Sequence, residues 1–163
     1  FKCRNIKSPI SLLILNMIQP DFSGISLQLK RENDKVNVFD IVRRKWVTLT
    51  PEEHVRQYLL QYLTEMLGYP AGMIAVEKKI KVGPMDKRFD LVVYDRQHRP
   101  WMLVECKAPE QVISERTLHQ LLNYHRAVPC RYWVLSNGPQ LYCADAADPQ
   151  HIVWLDRLPA YNL

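Results

Sequence analysis

The chain has 163 residues, 47% of them hydrophobic and 24% charged, enough for one substantial core with little to suggest a second. Its net charge of +5 leans toward a polyanionic partner. Cys3, Cys106, Cys130 and Cys143 lack the paired spacing of a zinc site, no secretory signal with a cleavage site is visible, and the most hydrophobic run is too short to span a bilayer, so the reading is cytoplasmic with no membrane contact.

That run, ISLLILNMI at residues 10–18, lies in an N-terminal segment (1–29) without visible chemistry, read as extended or as contacting a partner or second copy. Residues 30–163 are read as a single domain. Within it, residues 36–38 and 45–49 are β-prone and predict a small hairpin through FDIVRR. Arg43, Arg44 and Lys45 form the densest basic run and, with Lys87 and Arg88, make a candidate phosphate-facing set. Thr50, Pro51 and Glu53 have the spacing of an N-cap, a first-turn proline and a capping box, so a helix is expected to begin at Pro51. Val55, Leu59, Leu63 and Met66 recur at helical spacing along it, and Gly68 and Pro70 end it. A strand ending AVEKKIKV follows.

The most informative stretch is RFDLVVYDRQHRPWMLVECKAP, residues 88–109, which reads as strand, tight turn and strand. With Gln97 and His98 at the tip of a two-residue turn, Asp90 lies opposite Glu105, and directly opposite residues share a face. Period-two alternation adds Lys107 to that face and turns Val104 and Cys106 away. Two carboxylates at cross-strand distance in a half-buried sheet repel each other unless a cation bridges them. Hard oxygen ligands with room for waters suit Mg²⁺, with Mn²⁺ as a substitute. The competing reading is an ordinary cross-strand ion pair on a solvated face.

Further along, Ser114 caps a helix expected over 115–127, with Leu118, Leu121 and Leu122 inward. Gln120 and Tyr124 lie four apart on it and share a face that can meet a nucleic-acid backbone; the plainer reading is a half-exposed helix flank. Residues 131–136 read as a buried strand, Asn137-Gly138 as a turn, 140–144 as a further strand and 151–156 as an edge strand. Helices and strands alternating around a central hairpin indicate an α/β or α+β domain. No G-x-S-x-G elbow and no zincin histidine spacing is present, which argues against those hydrolase classes.

Asp90 followed by Glu105-Cys106-Lys107 resembles the PD-(D/E)xK nuclease superfamily. The flanking blocks TPEEHVRQYLLQYLTEMLGYP, AVEKKIKV, VECKAPE, HQLLNYHRAV and YWVLSNGPQLYC, in that order, resemble the N-terminal nuclease domain of type I restriction enzyme R subunits over about residues 39–156. The resemblance implies a restriction-endonuclease-like core, a four-stranded mixed central β-sheet flanked by α-helices, and Mg²⁺-dependent cutting of DNA. It implies Asp90, Glu105 and Lys107 as catalytic, and Asp90, Glu105 and the Cys106 carbonyl as metal ligands. Gln120 and Tyr124 would be auxiliary. Glu53 matches a first-helix glutamate that points into such sites, and the capping-box role stands beside that reading. DNA is the implied partner, with other restriction-modification subunits or a second copy. No G-x-x-x-x-G-K-[ST] loop occurs, so the chain is read as a nuclease domain without its own ATP-driven motor. The alternatives from other classes are a noncatalytic DNA-binding or regulatory module keeping the nuclease fold, and a protein-interaction domain whose charged trio is structural.

Overall fold

The computed structural model describes residues 16–124, 128–148 and 150–162. A small antiparallel sheet comes first: β1 (Leu29–Glu32), β2 (Lys35–Asp40) and β3 (Lys45–Thr48). Asn33 and Asp34 join β1 to β2 with φ of 50° and 60°. Two consecutive left-handed residues match the twist of a two-residue hairpin, and Asn and Asp tolerate them best among non-glycine residues. The sequence pattern predicted only β2 and β3, because the β1 sequence LKRE has no buried face to impose alternation.

Helix α1 (Pro51–Gln61) starts where the capping signature predicts. Thr50 Oγ1 accepts from the Glu53 amide at 3.1 Å, and proline stands at the first helical position. The helix loosens into a π-turn over Tyr62–Met66 and ends at Gly68, whose φ of 70° suits a residue without a Cβ.

The main sheet has six strands in chain order: β4 (Ile74–Val82), β5 (Met85–Tyr94), β6 (Pro100–Cys106), β7 (Tyr132–Ser136), β8 (Leu141–Asp145) and β9 (Val153–Leu155). All neighbours are antiparallel except β6 and β7, which run parallel and are joined through helix α2 (Glu115–Asn123). Two further strands thus extend the four-stranded core implied by the resemblance. Ser114 caps α2 and Tyr124 closes it; residues 125–127, included in the predicted helix, lie outside the described residues.

Each helix covers one face of the sheet. Val55, Leu59 and Leu60 of α1 and Leu63 of the π-turn pack in one cluster with Leu91, Val93, Met102 and Val104. On the other face, Leu118 and Leu121 of α2 pack with Phe89, Val92, Leu103 and Trp133. This three-layer burial explains why β6 and β7 read as nearly continuous apolar runs: strands covered on both faces have no solvent side. Each such side chain contributes about 1.5–3 kcal/mol on leaving water. Of the N-terminal segment, Ile18 forms an antiparallel bridge with Leu141 and is buried in the α1-side cluster, while residues 1–15 lie outside the described residues. Among the described residues, no helix is long and apolar enough to cross a membrane.

Candidate active site

The β5–β6 hairpin carries the pairing that the sequence suggested, through a different turn. Leu91 faces Val104 and Val92 faces Leu103, the register that sets Asp90 against Glu105. The tip is not the two-residue turn at Gln97 and His98. It is a five-residue loop (95–99), and the register shifts by a bulge between Val93 and Tyr94. Asp95 organises the loop. Its Oδ1 accepts from the Gln97 and Arg99 amides, each at 2.9 Å, and its Oδ2 from Arg99 Nε at 2.9 Å. A carboxylate accepting several N–H bonds replaces the Asn-Gly chemistry that this tip lacks.

Alternation also breaks at Asp90. Phe89 and Leu91 are both fully buried, yet Phe89 belongs to the α2-side cluster and Leu91 to the α1-side cluster. Residues two apart on a regular strand share a face, so β5 turns over within these three positions. Opposite this point Glu77 has φ of 53°, and the β4–β5 ladder passes from Val76↔Leu91 to Lys78↔Phe89 without a pair between them. A non-glycine residue held in the left-handed region costs on the order of 1–3 kcal/mol, and such strain clusters at functional sites.

The common face expected for Asp90 and Glu105 from regular alternation is therefore not kept, and the two carboxylates meet different neighbours. Asp90 is held from α1: its Oδ1 accepts from Arg56 Nη2 at 2.7 Å and Nε at 3.1 Å, and its Oδ2 from the Cys106 amide at 2.7 Å. Glu105 opens instead onto a cleft of about 90 Å³ on the α2 side, lined also by Lys87, Lys107, Thr117, Gln120 and Tyr124. Its Oε1 lies 2.5 Å from Lys87 Nζ. Burial raises the Glu105 carboxyl above its ordinary range and the charge of Asp90 adds to the rise, with Lys87 and Lys107 offsetting it only in part. The pair therefore acts as mutually repelling carboxylates in a poorly solvated place. Cys106 contributes backbone alone, since burial, reinforced by Asp90, pushes its thiol well above the normal range.

Lys107 follows directly after β6, its amide donating to the Ser136 carbonyl at 2.8 Å, so the parallel β6–β7 pairing fixes its backbone at the cleft. Gln120 and Tyr124 reach the same cleft from one face of α2. A larger, mostly apolar cavity of about 260 Å³ lies on the other flank of α2, between Leu118, Leu122, Tyr142 and Trp154, and carries none of the proposed catalytic residues.

Glu53 is buried on α1, and its side chain is committed. Its Oε1 accepts from Arg43 Nη2 at 3.1 Å and Gln57 Nε2 at 2.8 Å, and its Oε2 pairs with Arg56 Nη1. It does not return to the Thr50 amide as the capping-box reading expected, because these buried cations are stronger partners for a carboxylate than an exposed amide. It reaches Asp90 through Arg56. Arg43, grouped by sequence with the phosphate-facing residues, is likewise committed, to Asp40 (2.7 Å), Glu53 and Glu77 (2.6 Å). Arg44, Lys45 and Arg88 remain exposed, and Lys87 points into the cleft.

Arg56 and Glu77 are the site residues that sequence reasoning missed. Arg56 had a signal: it precedes Leu59 by three and Leu60 by four, so it shares their buried face, and a charge there needs partners. Glu77 had none, because a left-handed conformation is not encoded by a glutamate within an ordinary strand pattern.

Three covered layers, a mixed sheet and a carboxylate-lysine cluster at the β5–β6 ends define a restriction-endonuclease-like nuclease fold. Residues 51–159 match the family model described as "Type I restriction enzyme R protein N terminus (HSDR_N)", and the chain belongs to that family. The family assignment and the fold agree. The fragment structure assigned to an HsdR subunit of a type I restriction enzyme from Vibrio vulnificus YJ016 is similar at 19% identity and a TM-score of 0.52, covering 70% of this chain and 24% of that one. The chain thus spans about a quarter of that relative. Weaker likenesses, which carry no argument, are to the type IIG restriction endonuclease BpuSI (22% identity, TM-score 0.43, 60% of this chain and 11% of that one) and a DUF820 nuclease from Anabaena variabilis ATCC 29413 (10% identity, TM-score 0.47, 80% and 84%). No match is found among curated proteins.

Among the described residues, no three of His, Cys, Asp and Glu form a ready cation cage. The donor chemistry nevertheless fits Mg²⁺, which takes one or two carboxylates and keeps several waters. Asp90 and Glu105 would supply those carboxylates, and the unfavourable burial of Glu105 is the kind that a nearby cation relieves.

Proposed function

We propose that these residues form a Mg²⁺-dependent endodeoxyribonuclease domain that hydrolyses DNA phosphodiester bonds, with Mn²⁺ as a substitute cofactor. The observation that carries the reading is Glu105 and Lys107 in one cleft with Gln120 and Tyr124, with Asp90 on the neighbouring strand close enough for its charge to act on Glu105. Asp90, Glu105 and the Cys106 carbonyl would hold the cation, and Glu53, whose oxygens are engaged, is left out of that set. Mg²⁺ bound there supplies charge that polarises the phosphate and eases deprotonation of the attacking water. Lys107 Nζ orients that water or takes its proton, and offsets negative charge developing on the phosphate. Gln120 and Tyr124 position the backbone from α2. Arg44, Lys45 and Arg88 extend the positive surface along which DNA would lie.

The proposal assigns these residues cutting alone, because they contain no Walker-type phosphate loop. Translocation would fall to other restriction-modification subunits or segments, and the cytoplasm is the proposed setting. A second reading, a noncatalytic DNA-binding or regulatory module, draws on one observation: Arg56 and Lys87 already neutralise both carboxylates.

Incubating supercoiled, linear and single-stranded DNA with Mg²⁺, Mn²⁺ or EDTA, beside Lys107→Ala, tests the proposal. Metal-dependent cleavage lost in the variant supports it. Cleavage that survives both EDTA and the substitution overturns it, and DNA retention without any cutting supports the second reading.

A further inference from the structure

The two carboxylates are neutralised by cations of very different mobility. Arg56 is 5% exposed and bonds to Asp90, Glu53 and, at 3.4 Å, Glu52, so moving it would strand buried charges. Lys87 has a side chain 27% exposed and, among the described residues, a single carboxylate partner, Glu105. Its Nζ also lies 4.9 Å from the Tyr124 ring centroid and 5.2 Å from that of Phe89. These cation–π contacts exist alongside the ion pair, so the ammonium keeps favourable neighbours when it leaves the carboxylate. A lysine ammonium on a flexible stem can make that change at low cost, whereas a guanidinium locked in a fork cannot.

We propose that Lys87 is a built-in competitor for the metal: its ammonium occupies Glu105 in the metal-free protein, and a divalent cation binds there only by displacing it toward the Tyr124 and Phe89 rings. This rests on the reading of Asp90 and Glu105 as metal ligands. The competition sets the metal concentration at which the site loads, and it keeps two repelling carboxylates stable until then. Arg56 stays on Asp90 in both states and fixes that ligand's position.

The test is Mn²⁺ binding to the whole chain, without DNA, followed by titration calorimetry and by the paramagnetic resonance signal of free Mn²⁺. Lys87→Met keeps the stem against the rings and removes the charge. By the arithmetic of an occupied competing state it should bind Mn²⁺ roughly five- to tenfold more tightly than wild type. Lys87→Arg keeps the charge and should bind no more tightly than wild type. Lys35→Gln, which removes an exposed charge on β2, controls for net charge and should leave affinity unchanged. Equal or weaker Mn²⁺ binding by a folded Lys87→Met, as judged by circular dichroism, overturns the proposal. So does an equal gain in Lys35→Gln. If Glu105→Gln binds Mn²⁺ as wild type does, the metal-site reading falls and the competition with it. If Glu105→Gln loses binding while Lys87→Met matches wild type, the competition alone falls.

Discussion

Arg56 holds Asp90 from thirty-four residues upstream, with Nη2 at 2.7 Å and Nε at 3.1 Å from one carboxylate oxygen. The same guanidinium pairs with Glu53, and Arg43 continues the chain of charges to Asp40 and Glu77. Burial alone would lower the pKa of Arg56, but Asp90 and Glu53 outweigh it and raise it, so the group stays charged. The small β1–β3 sheet, α1 and the central sheet are thus tied to one candidate carboxylate, Asp90, by a buried ionic network.

Removing Arg56 should therefore unfold more than it frees. Arg56→Met leaves Asp90 and Glu53 without their shared cation and should cost about 3–5 kcal/mol, the range for breaking a buried pair. Urea unfolding at constant m-value measures it. Arg56→Lys should recover only part, because an ammonium cannot span Asp90 and Glu53 as the fork does.

Lys107→Ala should behave in the opposite way. The side chain lies at the cleft rather than in either core, so stability should change by less than about 0.5 kcal/mol. Cleavage of supercoiled DNA should fall by about 10²–10⁴, the usual contribution of a positioned proton-transfer group, while DNA retention in a gel persists.

Glu105→Gln should trade activity for stability. The folded-state pKa of Glu105 is raised, so its favourable contribution is present below the ordinary carboxylate range and is lost as pH rises through the raised value. At neutral pH the ionised group opposes folding. The neutral amide should stabilise the metal-free protein by about 0.5–2 kcal/mol there, within the span seen when functional sites are relaxed. Thermal midpoints across pH should show the gap closing in acid. A variant less stable than wild type at pH 7 would contradict this.

The basic residues should separate by burial. Arg88→Gln, at an exposed position proposed to face phosphate, should reduce the slope of log affinity for DNA against log salt by about 1 and leave the fold intact. Arg43→Gln should instead lower thermal stability, because Asp40, Glu53 and Glu77 lose their common partner.

Much of this fold was legible in the residues because local rules and packing agree there. The Thr50 cap, the apolar face of α1, the doubly covered β6 and β7 and the Ser114 cap each combine a local signal with the burial that enforces it. The pairing of the central hairpin was also legible, since Val92, Leu103 and their neighbours reach their own layers only in that register. The turn was not, because Gln-His carries no preference, and the geometry comes from Asp95 gathering the amides around it.

The candidate trio Asp90, Glu105 and Lys107 could be chosen by residue type and spacing, for those follow the chain. How each charge is balanced could not. Arg56 on a helix, Lys87 on the same strand as Asp90 and Glu77 across a broken ladder are brought together by packing over distances that no periodicity spans. Sequence alone singled out the candidate groups and the elements that present them. Tertiary structure decided which cation answers which carboxylate, because electrostatic pairing depends on separation in space and on burial, and both exist only once the layers have closed.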